Sequence, residues 1–475
     1  MLVPLEGFTD GESLYQRWLS GTPSTPNAAA APASPSDPPT PGYPPPIYRA
    51  PGNVIGGYYL DGQYSDVAVL SVPSFVSAES QEIPFQQVGE KFLAAARAAG
   101  KKKLIIDVSA NGGGTILQGY DLYKQLFPKG VGHAAADRFR DFESTKLLTE
   151  YYSRASQSLP RELVDEDVNA TLYGLEVDVV SSVFNYQTDL DVNSKNFRNW
   201  QAKYGPGVSQ KGDQFSNLFR WNLSDVLTPY NSGGIYVHGY GPLANYTAQQ
   251  QPFATEDIVV VTDGYCASTC TIFSELMRQR AGVKYISLGG RAKSGITQAV
   301  GGVKGTNDLP WDYIQYLTQL AVTNLTTSAA EARKLNQTEL GDYWDNTPFN
   351  RQAPSTSINI NFRDGIRDGD KSQTPLQFVY EPSDCRILYT KAMTVDVTAI
   401  WKAVADSAFG GTNHCISGSL GGYRKMAKRE MTAEDIALNK RMHEWRRDLS
   451  AEHYPLDLYT DLRGADLSRR GIMWP

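Results

Sequence analysis

The feature that most constrains this fold is a pattern the chain uses twice: a short, wholly apolar run that ends in a turn and passes directly into an amphipathic segment. In Asp257-Ile258-Val259-Val260-Val261-Thr262-Asp263-Gly264 the β-branched run bounded by Asp-Gly predicts a buried, parallel-type strand. The residues that follow predict a helix with Ile272, Leu276 and Met277 on one side. Ser268 then falls where strand turns into helix. A hydroxyl there lies near N–H groups that have no intrahelical partner and at the positive end of the helix dipole. That environment suits a nucleophilic serine and its oxyanion. Serine is also a preferred N-cap residue, so this stretch alone leaves both readings open.

The second copy is Lys103-Leu104-Ile105-Ile106-Asp107-Val108-Ser109-Ala110-Asn111-Gly112-Gly113-Gly114, followed by a helix-like segment from Ile116 to Phe127. Three glycines after a strand let the backbone approach a ligand closely and turn consecutive N–H groups outward. The run lacks the Lys-Ser/Thr ending of a phosphate-binding loop and the spacing of a dinucleotide fingerprint, which sets nucleotides aside.

A strand ending in Asn111-Gly112-Gly113-Gly114 and a later one leading into Cys266-Ala267-Ser268-Thr269-Cys270-Thr271-Ile272-Phe273 together resemble the tail-specific, or C-terminal processing, serine proteases. The match is closer still to the family's fungal members, which are similar to the chlamydial protease-like activity factor (CPAF-like). The resemblance covers roughly Val54 to Tyr389 and includes Val72-Pro73-Ser74-Phe75. It implies that Ser268 is the nucleophile. It also implies an oxyanion hole built from the N–H of Gly112 or Gly113 and that of Thr269. The implied fold is α/β, with a ClpP/crotonase-like superhelical core of β-β-α type units.

The intervening sequence agrees with an α/β reading. A strand is predicted at Val67 to Val72, a helix from Phe85 to Ala99 with Gly100 as C-cap, and a strand at Lys284 to Leu288. Such alternation implies right-handed crossovers and a largely parallel sheet covered on its faces. Residues 1–22 read as a remnant of an N-terminal domain. Residues 23–51 hold eleven prolines among Ala, Ser and Thr, a composition that cannot bury a core and makes a semi-rigid linker. The catalytic core is expected over 52–420, with insertions at about 129–255 and 300–374, and a charged helical tail over 421–475. The 129–255 insertion is polar and aromatic, with helix-like pieces around Arg138 to Ala155; it is expected on the surface, beside the substrate cleft.

The resemblance leaves the general base open. The bacterial members carry a lysine in the turn matching Gly289 to Gly295, which points to Lys293, one residue off the family position. The chlamydial and fungal branch pairs serine with histidine and glutamate, and Glu381 is the match for the acid. Its histidine lies upstream of the point where this chain begins. The five histidines present, His133, His238, His414, His443 and His453, lie in unrelated sequence and read as loop or surface residues. The missing histidine segment and the lack of a signal peptide predict a chain truncated at its N-terminus.

A formal charge of −6, from 45 basic and 51 acidic residues, argues against a nucleic-acid partner, and no apolar stretch has the length of a membrane span. Cys266 and Cys270 bracket Ser268 without the second ligand pair that zinc needs, so no metal or cofactor is expected. In an oxidising compartment Cys266 pairs with Cys270 and Cys385 with Cys415, although three connectivities are open. Five N-glycosylation sequons, at Asn169, Asn222, Asn245, Asn324 and Asn336, point to a secreted glycoprotein. The expected protein is a serine endopeptidase acting on protein or peptide substrates. The rivals are an inactive peptide-binding protein that keeps the fold and a crotonase-type acyl-CoA enzyme; the oligomeric state is not legible.

Overall fold

The computed structural model describes residues 40 to 419, apart from 77–81, 131, 206, 211, 302–303, 345–346, 351–357 and 418. The expected N-terminal remnant, most of the linker, the charged tail, His443 and His453 lie outside the described residues. In chain order the strands are β1 (Tyr48–Arg49), β2 (Gly56–Tyr59), β3 (Val67–Ser71), β4 (Lys103–Asp107), β5 (Ala136–Phe139), β6 (Asp189–Asp191), β7 (Val208–Gln210), β8 (Asp213–Phe215), β9 (Phe219–Trp221), β10 (Ile258–Thr262), β11 (Lys284–Leu288), β12 (Asn307–Pro310), β13 (Asn359–Ile366) and β14 (Cys385–Ile387). The longer helices, and the short one after β10, are α1 (Glu82–Ala98), α2 (Ile116–Leu126), α3 (Glu143–Ser156), α4 (Thr269–Glu275), α5 (Trp311–Asn324) and α6 (Val397–Phe409).

Seven strands form one sheet in the order β1-β2-β3-β4-β10-β11-β14. From β3 to β14 every neighbour is parallel, while β1 and β2 add antiparallel at one edge. The unbroken apolar runs follow from burial on both faces, because alternate side chains of a strand point to opposite sides. Leu104, Ile106 and Val260 face a layer containing Phe92 of α1, Leu122 of α2 and Phe273 of α4. Ile105, Val259 and Ile286 face Trp401 of α6. Helix α1 stops where expected: Gly100, at φ 69°, turns the chain so that Lys101 N–H reaches the Ala96 carbonyl at 3.0 Å.

Two expectations change. The end of the supposed linker is structured, since Tyr48 and Arg49 pair with Gly57 and Gly56 of β2. The helical piece expected around Arg138 to Ala155 is helix α3, from Glu143 to Ser156, but the residues before it, Ala136–Phe139, form strand β5, which was not expected. Strand β5 pairs with β13, more than two hundred residues away, so local periodicity cannot reveal it. That pairing joins the two segments expected as separate insertions into a five-stranded antiparallel sheet, β12-β13-β5-β9-β6. It has its own apolar cluster, including Phe139, Tyr152, Phe219 and Leu317.

Buried charge holds this second sheet in register. Arg363 of β13 and Lys203 are both fully buried, and the Asp189 carboxylate of β6 receives both, at 2.9 Å and 2.6 Å. Arg363 also lies 3.2 Å from Asp137 of β5, so one guanidinium ties three strands together. Burial lowers the Lys203 pKa to about 8 and raises that of Asp137 to about 6. Removing the shared anion leaves Lys203 buried without a carboxylate partner and Arg363 with Asp137 alone, and breaking a buried pair in this way typically costs about 3–5 kcal/mol. Asp189→Ala is therefore expected to lower the unfolding free energy in urea by about that amount. A loss below about 1 kcal/mol would show that the pair is not what holds the sheet.

Candidate active site

Strands β3, β4 and β10 are parallel neighbours, so the loops leaving their C-terminal ends meet at one edge of the sheet. Asn111, fully buried, joins them. Its side-chain N–H donates to the Val72 carbonyl after β3 at 2.7 Å, and its Oδ1 accepts from Gly113 N–H at 2.8 Å. Its own carbonyl accepts from Ala267 N–H at 3.3 Å. Asp263 adds a second tie, accepting from Ala110 N–H and from Tyr265 N–H. Phe75 crosses the glycine turn, donating to the Gly113 carbonyl and accepting from Thr115 N–H. The Thr269 hydroxyl donates to the Gly114 carbonyl at 2.6 Å.

These ties bring Ser268 and the glycine turn into contact. A Cβ on Gly113 would lie 2.7 Å from Ser268 Cβ and 2.9 Å from the Thr269 nitrogen, and Gly113 also sits at φ 100°. Only glycine fits there. Of the two glycines named as oxyanion donors, Gly113 gives its N–H to Asn111, while Gly112 is exposed beside the Tyr265 ring. Thr269, fully buried, opens α4, where an N–H has no intrahelical acceptor.

Ser268 is half-buried and holds φ 49°, ψ −120°, a strained region for a residue with a side chain. It occupies the N-cap position, yet its hydroxyl makes no capping hydrogen bond. The bland alternative for this serine therefore does not describe what the hydroxyl does. The cysteines close as Cys266–Cys270 and Cys385–Cys415, one of the three connectivities left open.

The contacts of the other predicted residues, among those described, are with groups other than Ser268. Glu381 is buried, and its Oε1 accepts from Gln279 at 2.7 Å and from Arg367 at 2.8 Å, with Lys304 Nζ 3.8 Å from Oε2. Arg367 also binds Glu275, the last residue of α4, about 10 Å along the helix from Ser268. Burial raises the Glu275 pKa in this cluster, and burial lowers that of Lys304. Lys293 is exposed in the loop after β11. His414 is in contact with Asp406, and His133 with Arg280.

His238 departs most from expectation. It lies in a turn but is buried, with Nδ1 2.7 Å from the Asp121 carboxylate of α2, and it packs on Tyr246. Burial pulls its pKa down, but the bond and charge of Asp121 outweigh this and leave it raised. No local pattern announces a pair separated by more than a hundred residues. A cavity of about 960 Å³ also lies elsewhere, between the second sheet and α3 and α5, lined by Arg138, Leu148, Phe215, Trp311 and Phe362.

The sequence profile of peptidase family S41 matches residues 66–307. The peptidase S41 family protein ustP of Aspergillus flavus is 32% identical over 394 residues, 80% of this chain and 76% of that protein. The peptidase S41 family protein phomP1 of Diaporthe leptostromiformis is 29% identical over 402 residues, 78% of this chain but only 56% of its own length. Among solved structures, mature CPAF in complex with lactacystin aligns with 54% of this chain and 44% of its own, at 14% identity and a TM-score of 0.28, too low to bear on the fold.

Two outcomes follow from this geometry. Because glycine adopts the Ser268 conformation freely and alanine does not, Ser268→Gly should be more stable than Ser268→Ala by about 1 kcal/mol in denaturant unfolding. A more stable alanine variant would disprove the strain. For His238 the folded pKa lies above the unfolded one, so its contribution is fully present below pH 6.5 and is lost as pH rises through the folded value. The stability gap between the native protein and His238→Gln should narrow from pH 6 to pH 8; a gap that widens would reverse the assignment.

Proposed function

We propose, because this chain belongs to peptidase family S41, that it is a serine endopeptidase of the tail-specific type in which Ser268 is the nucleophile. Family membership makes it a serine-type protease. The observation that carries the residue assignment is the strained, uncapped Ser268 held against the glycine turn. A backbone strained at a strand-to-helix turn lifts a nucleophile clear of its neighbours, and its hydroxyl has no structural bond to lose. The N–H groups of Gly112 and Thr269 make the oxyanion hole in this reading; Asn111 and Gly113 position them, since Gly113 donates inward. The helices α1, α2 and α4 on one face of the parallel sheet support a ClpP/crotonase-like core.

The substrate is a protein or peptide, whose scissile carbonyl would turn its oxygen to those two N–H groups as Ser268 attacks. Glu381 remains the proposed acid, with Oε2 the edge on offer, because Oε1 takes both hydrogen bonds. Lys293 is the lesser candidate for base. Secretion and glycosylation are supported by the two disulfides and by four exposed sequon asparagines, Asn169, Asn245, Asn324 and Asn336; Asn222 is half-buried. No helix among the described residues is long and apolar enough to cross a membrane.

A fluorophosphonate reagent should add one adduct to the protein and none to Ser268→Ala, read by intact mass. Equal labelling of the two would sink the nucleophile. Gly113→Ala, whose new methyl group meets Ser268 and the Thr269 nitrogen, should slow labelling by about 10²-fold or more, the scale of losing one oxyanion donor. Protein from a secretory host should also lose mass to an N-glycosidase; unchanged mass would overturn the proposed glycosylation.

A further inference from the structure

The strained serine sits at the centre of a closed ring. Cys266 and Cys270 are joined, so the five residues Cys266-Ala267-Ser268-Thr269-Cys270 form a loop with their end Cα atoms 5.4 Å apart and Ser268 in the middle. Both cysteines are fully buried, Cys266 on the strand side of the turn and Cys270 in the first turn of α4. A residue with a side chain persists at positive φ only where its surroundings over-determine it. The turn is also held by hydrogen bonds, on the strand side from Tyr265 N–H to Asp263 and from Ala267 N–H to the Asn111 carbonyl at 3.3 Å, and on the helix side from Cys270 N–H to the Ala267 carbonyl at 3.0 Å and from the Thr269 hydroxyl to the Gly114 carbonyl at 2.6 Å, but the disulfide alone joins its two ends covalently.

As a stabiliser of the whole fold this bridge is poorly placed. Cross-linking removes freedom from the unfolded chain in proportion to the logarithm of loop length, so a separation of 4 residues gains little beside the separation of 30 spanned by Cys385–Cys415. Its location does fit a local task. Without it, Ser268 can relax toward ordinary helical or extended dihedrals, carrying its hydroxyl and the Thr269 N–H out of register with Gly112.

We infer that the Cys266–Cys270 bridge is a positioning device, holding Ser268 in its strained conformation and thereby setting its reactivity, while Cys385–Cys415 serves stability. The inference rests on Ser268 being the nucleophile. It separates two quantities that a merely structural bridge would move together.

The test uses the full chain, with Cys266→Ala/Cys270→Ala and Cys385→Ala/Cys415→Ala compared for Tm and for fluorophosphonate labelling at saturating reagent. The first pair should cut the labelling constant by at least about tenfold, as small misplacements of reacting groups do, with the smaller fall in Tm. The second should give the larger fall in Tm and leave the labelling constant unchanged. Equal labelling by folded Cys266→Ala/Cys270→Ala protein overturns the inference alone, as does a loss of labelling that tracks Tm across both pairs. No labelling of the unsubstituted protein overturns the nucleophile and the inference together. If the first pair does not fold, the unsubstituted protein is partly reduced and its thiols are mapped by alkylation. Molecules alkylated at Cys266 and Cys270 should then be depleted of adduct, and equal adduct in them overturns the inference.

Discussion

The site depends on one buried amide. Asn111 donates to the loop after β3, accepts from the glycine turn after β4 and accepts, through its carbonyl, from the loop after β10. Three loops that share no sequence neighbourhood are thereby fixed relative to one another. A buried polar side chain is costly unless it is bonded, and this one is bonded at both ends of its amide. Apolar residues of the same size could fill the space but could not satisfy the backbone groups that Asn111 serves.

Around this clamp the structure stores strain rather than relieving it. Gly113 approaches so closely that no side chain is tolerated, and Ser268 adopts a conformation that glycine would hold more cheaply. Such strain lasts only where the rest of the fold supplies the energy. The loops that carry it leave a sheet buried on both faces, with Trp401 donating to Asp107 at the end of β4 at 2.7 Å, and the Cys266–Cys270 bridge closes around Ser268 itself. The second sheet is organised differently. Its register depends on Arg363, Lys203, Asp137 and Asp189, buried charges that compensate one another, and the cavity beside it is not lined by Ser268.

Much of the core was legible because its signals are local. An apolar run of strand length, a glycine that stops a helix and a serine between strand and helix are read within a dozen residues, and β4, β10, β11 and α1 lie where those signals put them. The closeness of Ser268 to the Asn-Gly-Gly-Gly turn was expected as well, but only because the family resemblance implies it. The β5 strand was not, because a four-residue segment takes its state from a partner far along the chain. For the same reason, the His238–Asp121 pair left no trace in either segment.

The chemistry available is written in local stretches of chain: a serine at a strand-to-helix turn, glycines that permit close approach, four cysteines and an ordering of strands that makes a parallel sheet. Side-chain type and local periodicity carry that information, since they act within one or two turns of chain. Only tertiary contact settled which glycine N–H is already taken. Gly112 and Gly113 are alike in sequence, but Gly113 donates to Asn111 and Gly112 does not. It also decided that the Ser268 hydroxyl leaves its cap unused and that the cysteines close around it. It joined two distant insertions into one sheet as well. Each of these depends on distances between groups that the chain brings together only after the sheet has formed.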